Sequence, residues 1–167
     1  NFVAEIIHDY SSDISISKKR VLESNDALNK AKMFSCYVHE LDVYSAKWLS
    51  KSRNKNFKVY SGDYCRYTVL TSYGMMRNPL SWILTNTTRE EKYSYATPFT
   101  KIGENSYTYL RWMNYRLNIM TTGYRWWNTS EIIPFLMEKA NKVYSNGGSV
   151  IFLKYRVKCS LCQKREI

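Results

Sequence analysis

Glycine and proline are scarce, 6 and 3 in 167 residues, too few for a collagen-like, low-complexity or disordered chain. Histidine is scarcer still, with only His8 and His39. No Gly-rich loop able to cradle phosphates occurs, so nucleotide hydrolysis lacks its usual frame. No run approaches the roughly 20 consecutive apolar residues of a membrane-spanning helix. Carboxylates are few and scattered, 14 Asp and Glu against 25 Lys and Arg, which removes the paired carboxylates of glycoside hydrolysis. What remains is a chain of one-domain length, residues 1–167, rich enough in apolar side chains to bury a core without metal.

The same scarcity bears on catalysis. His8 stands beside Asp9 and His39 beside Glu40, and adjacent side chains on a helix or strand point apart, so neither pair is a dyad. Cys36 and His39, three positions apart, are the nearest approach to a nucleophile and base on one helix face. Cys159 and Cys162 have the C-x-x-C spacing of half a zinc site, but Cys36, Cys65 and the histidines do not complete it. The expectation is a non-enzymatic protein with no cofactor and no metal.

The formal charge of +11 predicts an anionic partner. Cations are densest at Lys47, Lys51, Arg53, Lys55 and Lys58, and again at Lys154, Arg156, Lys158, Lys164 and Arg165. Aromatic and basic residues interleave from Tyr107 to Trp127, which nominates Arg111, Trp112, Arg116, Arg125, Trp126 and Trp127 as a contact surface, since Trp, Tyr and Arg dominate interface hot spots. An acidic protein, receptor or glycan is the expected partner. Single-stranded nucleic acid, or a viral structural role upon it, is the alternative, because bases stack on rings while Lys and Arg follow the backbone.

Cys36, Cys65, Cys159 and Cys162 are an even set of disulfide candidates, compatible with two bridges in any of three connectivities. The chain begins at Asn1 without Met, and Asn86-Thr87-Thr88 and Asn128-Thr129-Ser130 are glycosylation sequons. Together these cues predict a mature, secreted, extracellular glycoprotein. Cys36-Tyr37 and Tyr64-Cys65 resemble the cysteine-tyrosine-cysteine pairs of effector proteins that gall-forming aphids inject into plants, although each pair here lacks its second cysteine. That resemblance implies a secreted effector.

Along the chain, an apolar opening (1–7) and a polar stretch (8–19) precede helical spacing from Lys19 to Ser50, one long helix or two joined near Ser35. Phe57–Tyr60 and Tyr64–Gly74 predict a hairpin about Ser61-Gly62-Asp63, with a helix over Cys65–Met76 as the other reading. Leu80–Thr85 reads as a short helix, and Thr85–Phe99 as loop with one edge strand. Leu110, Met113, Leu117, Met120 and Tyr124 predict a central helix from an Asn105/Ser106 cap to Thr122. A further helix opens at Thr129 or Ser130, holds Pro134 in its first turn and ends at Asn146-Gly147-Gly148. Strict alternation of Ile151, Leu153, Tyr155, Val157 and Cys159 against Lys154, Arg156 and Lys158 predicts a half-buried strand over Ser149–Cys159 with one basic face. The expected fold is α+β, helix-dominated, with a small antiparallel sheet; all-α is the alternative.

Overall fold

The structure, a computed structural model, describes residues 18–62, 65–76, 81–85, 96–122 and 125–155. The apolar opening and polar stretch before Lys18 therefore lie outside the described residues. Where one or two helices are expected there are three: α1 (Lys18–Glu23), α2 (Ala27–Cys36) and α3 (Glu40–Ser52). Each break has a local cause. The Asp26 carboxylate accepts the Leu28 and Asn29 N–H groups at 2.9 and 3.0 Å and starts α2. His39 starts α3, its Nδ1 accepting the Leu41 N–H at 3.2 Å while Asp42 accepts the His39 N–H at 3.3 Å. Side chains that donate or accept at the exposed ends of a helix fix where it begins.

After α3 the chain enters β1 (Lys58–Ser61), then a π-helical segment (Cys65–Thr71), β2 (Ser81–Thr85) and β3 (Ala96–Pro98). A short 3-10 turn (Phe99–Lys101) leads to β4 (Ser106–Leu110), α4 (Trp112–Arg116), β5 (Ile119–Thr122) and β6 (Arg125–Asn128). Helix α5 (Ile132–Lys139), β7 (Asn141–Ser145) and β8 (Val150–Lys154) complete the described fold. The main sheet has six strands in the order β3-β2-β1-β4-β8-β7, and β5 pairs with β6 in a separate ribbon. The pairs β3/β2, β2/β1 and β1/β4 are parallel, whereas β4/β8 and β8/β7 are antiparallel.

Both faces of the sheet are covered. Val59, Tyr107, Tyr109 and Ile151 pack on one side against Ala46 and Leu49 of α3 and Cys65, Val69 and Leu70 of the π-helical segment. Tyr60, Leu110, Val150 and Phe152 pack on the other against Ile132 and Leu136 of α5 and Met120 and Trp127 of the ribbon. Alternate side chains of a strand point to opposite faces, so both sets are apolar and a two-sided core results. A smaller cluster of Ala31, Phe34, Met113 and Ile119 fastens α2 over α4 and β5.

The helix-dominated α+β expectation is corrected: the fold is a mixed α/β layer structure about a partly parallel sheet. The central helix is the main error. Asn105 has φ +54°, a left-handed turn conformation that Asn tolerates and that cannot open a helix. Tyr107, Thr108 and Tyr109 then form β4, in which all five residues are buried. A strand enclosed on both faces loses the alternation that would have marked it, and the residual three-and-four spacing imitated a helix. Asn118, again at φ +54°, separates α4 from β5.

The expected hairpin after Phe57 is also corrected, since β1 is followed by the π-helical segment and pairs with parallel neighbours. Leu80–Thr85 contributes a strand in place of a short helix. The helix from Ser130 stops at Lys139, because Ala140 is extended and β7 begins at Asn141. Two expectations hold locally, Pro134 in the first turn of α5 and Pro98 in an edge strand; β8 is a strand as expected, but Val150, Ile151 and Phe152 are all buried, so it is covered on both faces and not half-buried. With β8 a strand, the all-α alternative is excluded.

Candidate functional site

In open parallel sheets the usual ligand crevice lies beyond the carboxyl ends of adjacent strands where the connections diverge. Here β1 and β4 are those strands, and among the described residues Arg111, Asp42 and Met120 pack beyond them. Arg111 follows β4 and is 2% exposed; its Nε lies 3.4 Å from the equally buried Asp42 carboxylate. Its Nη2 donates to the backbone carbonyls of Phe34, at 3.1 Å, and Tyr37. Asp42 further accepts the Trp112 N–H at 2.6 Å. A Cβ added to Gly62, at the end of β1, would stand 3.1 Å from the Met120 side chain.

The titratable groups gathered at this end are shifted toward their neutral forms. Burial raises the Asp42 pKa, against the lowering influence of Arg111 and of the Trp112 and His39 N–H groups. Burial likewise pushes up the Cys65 thiol and the Tyr109 phenol. Tyr109 Oη donates to the Asp42 carbonyl at 3.0 Å and meets Ser45 Oγ at 2.9 Å, and Ser45 meets Ser149 at 2.9 Å. A neutral, enclosed thiol is a poor nucleophile. The arrangement is a buried polar lock between α2, α3 and β4.

The nominated contact residues divide accordingly. Arg111 and Trp127 are buried, Trp127 at 7% exposure and stacked on Phe99 at 6.2 Å. Trp112 is half-buried, its ring stacked on His39 at 5.4 Å. Arg116 is exposed at the end of α4. Arg125 and Trp126 stand in β6 opposite Thr122 and Thr121. Arg111 and Trp127 are thus withdrawn from any contact surface, and the Arg125 and Trp126 side chains lie outside the described residues. Nor do Cys36 and His39 share a helix: Cys36 closes α2 and His39 opens α3.

A different set of cations lies at the amino end of the parallel strands, divided between the two faces of the sheet. The register Lys58↔Ser106↔Lys154 puts Lys58 and Lys154 in one row, two strands and so about 10 Å apart. Lys142, at the start of β7, pairs with Phe152 of β8. Helix α3 ends beside this amino end of the parallel strands and supplies Lys51, Arg53 and Lys55, of which Lys51 and Lys55 are exposed, as is Lys58. The Asn54 N–H donates to Tyr107 Oη at 3.1 Å, fixing the loop that carries them. Phe57 stacks on Tyr155, centroids 5.9 Å apart, and Tyr155 is 53% exposed. Lys154 is tied to the Ile102 carbonyl at 2.8 Å and to Glu104 at 3.4 Å.

Arg53 is the distinctive member. It caps the carboxyl end of α3 with its N–H on the Leu49 carbonyl, where a cation is favoured by the helix dipole. Its Nε and Nη1 are enclosed and have no hydrogen-bond acceptor among the described residues. Sequence reasoning found both basic clusters; that strands about 100 residues apart meet was not readable from spacing.

The cysteine expectation is corrected at Cys65, a free buried thiol. The Cys36 side chain and Cys159 and Cys162 lie outside the described residues. Among the described residues there is no group of His, Cys, Asp and Glu that could hold a metal, and no helix long and apolar enough to cross a membrane.

Fold and packing define a mixed α/β domain with a closed carboxyl end and a basic amino end. The chain belongs to the family described as a predicted membrane protein (DUF2206), whose model matches residues 1–152. No curated protein and no solved structure matches it. Membership corrects the secreted, extracellular expectation, since the family description points to a membrane. It also displaces the effector resemblance: Cys36 closes α2 and Cys65 opens the π-helical segment, while Tyr64 lies outside the described residues. The glycoprotein expectation rested on the same compartment and falls with it; Asn86 lies outside the described residues, and the Asn128 side chain accepts the Ser130 N–H at 2.7 Å.

Proposed function

We propose that this chain is a non-enzymatic binding module within a membrane protein family, engaging an acidic partner through the basic, aromatic-bearing amino end of its sheet. The observation that carries the reading is the succession of exposed cations Lys51, Lys55 and Lys58 from the end of α3 into β1, next to the Phe57–Tyr155 stack. Cations clustered on one part of a folded surface raise the local potential and attract a polyanion. The absence of catalysis is supported by the closed carboxyl end, where Cys65, Tyr109 and Asp42 are occupied with one another and with Arg111. His39 serves as a helix cap.

Single-stranded nucleic acid is the second reading, favoured by the exposed Tyr155 ring beside the lysines. Retention on immobilised heparin and on single-stranded DNA, followed across a salt series, tests both. Replacement of Lys51, Lys55 and Lys58 by Glu is expected to abolish retention, whereas replacement of Lys19, Arg20 and Lys139 by Glu is expected to weaken it only modestly. Equal losses from the two sets would mean that net charge, not this surface, does the binding. Tyr155 quenching on DNA alone, with a salt slope set by several phosphate contacts, would favour nucleic acid.

A further inference from the structure

Helix α3 carries two rows of side chains. One, Asp42, Ser45, Ala46 and Leu49, is buried against the core. The other, Tyr44, Lys47, Trp48 and Lys51, follows it two positions later residue for residue, a rotation of about 200° that turns it outward. Tyr44 is 57% exposed, and Lys47 and Lys51 are exposed. Trp48 is half-buried and stacks on Tyr144 of the edge strand β7, centroids 4.7 Å apart. We propose that this outer row lies on an anionic bilayer, with Lys47 and Lys51 among the phosphate headgroups and the Tyr44 and Trp48 rings at the headgroup level. This rests on the reading of an acidic partner; it names that partner and carries the contact along α3 from Lys51.

The chemistry of the row selects the partner. Tyr and Trp have an apolar body and a polar tip and are enriched where membrane meets water. Lysine lays its methylene stem on apolar surface and keeps its ammonium outside. Neither Lys47 nor Lys51 forms an ion pair among the described residues, so both charges are free to meet headgroups; Glu40, exposed one turn before Tyr44, stands at the opposite end of the row from Lys51. Asn146 Nδ2 donates to the Leu41 carbonyl at 2.7 Å, which ties the end of β7 to α3 and keeps Tyr144 beside Trp48. A nucleobase needs an open ring face, and one face of Trp48 and one of Tyr144 are taken by each other. The family description as a membrane protein places a bilayer within reach.

Co-sedimentation of the 167-residue chain with vesicles tests the proposal. Binding is expected to vesicles of phosphatidylglycerol in phosphatidylcholine, and far more weakly to phosphatidylcholine alone. Lys47→Gln and Lys51→Gln should each weaken binding about five-fold, the weight of one basic residue near an anionic leaflet. Lys139→Gln removes the same charge from α5, which covers the opposite face of the sheet, and should change binding little. Tyr44→Ala should weaken binding at every salt concentration, whereas the lysine variants differ from the unaltered chain chiefly at low salt. Phosphatidylcholine brominated in its acyl chains should quench tryptophan fluorescence, and Trp48→Phe, which keeps a ring for Tyr144, should lose most of that quenching.

Far-ultraviolet circular dichroism separates lost binding from lost folding, and the exposed Tyr44, Lys47 and Lys51 variants carry the test if Trp48→Phe does not fold. Equal losses from Lys47→Gln, Lys51→Gln and Lys139→Gln, or undiminished quenching in a folded Trp48→Phe, overturn the outer row of α3 as the contact. Equal binding to both vesicle types, or to neither while heparin or DNA retention persists, overturns the anionic bilayer and leaves the binding-module reading standing. Failure on vesicles, heparin and DNA alike overturns both.

Discussion

Arg111 and Asp42 form an ion pair of 3.4 Å between side chains almost completely withdrawn from solvent. They join the exit of β4 to the first turn of α3, and through the Phe34 and Tyr37 carbonyls to the end of α2. Removing one partner leaves the other charge enclosed and unpaired, which costs about 3–5 kcal/mol, whereas replacing both by apolar groups of similar volume is often neutral. Arg111→Met or Asp42→Leu alone is therefore expected to lower stability by that amount in urea denaturation, and the double variant to recover much of it. Single variants within about 1 kcal/mol of the unaltered protein, the usual span for exposed pairs, would mean the pair holds nothing together.

The same carboxylate makes a pH prediction with an unusual sign. Burial raises the Asp42 pKa despite Arg111 nearby, so the folded state binds that proton more tightly than the unfolded chain does. Its contribution to stability is then complete below the ordinary carboxylate pKa of about 4 and is lost as pH rises through the folded-state value. Comparing urea midpoints of the unaltered protein and Asp42→Asn across that window should show the unaltered protein losing ground as pH rises. A gain instead would show that the attraction of Arg111 outweighs desolvation.

How much of this was legible in the sequence follows from which forces are local. The run of β-branched and apolar residues marked β8, though not its burial on both faces, and the backbone rules for proline placed Pro98 at an edge and Pro134 in a first turn. Both are properties of single segments. Strand β4 was hidden because it is covered on both faces, and covering is a property of the whole fold. The left-handed turns at Asn105 and Asn118 were the available signal for strand starts. Arg111 looked like a surface residue because its partner lies 69 positions earlier, at Asp42, and nothing in spacing couples them. Lys58 and Lys154 were visible as cluster members, but only the Lys58↔Ser106↔Lys154 register joins the clusters.

Cys65 lies in the core beside Val69 and Leu70, and burial pushes its thiol pKa up. Reaction with thiol reagents needs both access and thiolate. In a chain whose Cys36, Cys159 and Cys162 are changed to Ser, the native protein is expected to be inert to dithionitrobenzoate, with the full reaction appearing on unfolding in guanidinium. Rapid reaction under native conditions would place Cys65 at an accessible, activated position and reopen the case for nucleophilic chemistry.

Glycines at three turns should respond in a definite order to alanine. At Gly74 an added Cβ would stand 2.7 Å from the Leu70 carbonyl oxygen and 3.3 Å from that of Ala46. Carbonyls of the main chain cannot swing aside as a side-chain end can, so the π-helical segment and α3 must separate. Forced separation of packed elements costs about 1–3 kcal/mol. Gly147 meets nothing within 4 Å but has φ +83°, so alanine there carries only the left-handed backbone penalty of roughly 1–2 kcal/mol. Gly103 has the Tyr60 hydroxyl at 3.6 Å as its near neighbour, an ordinary contact, and alanine there should be close to neutral. Thermal midpoints of the three variants are expected to fall lowest for Gly74→Ala, less for Gly147→Ala and least for Gly103→Ala. If Gly74→Ala melts with the unaltered protein, the close approach of the turn to α3 is wrong.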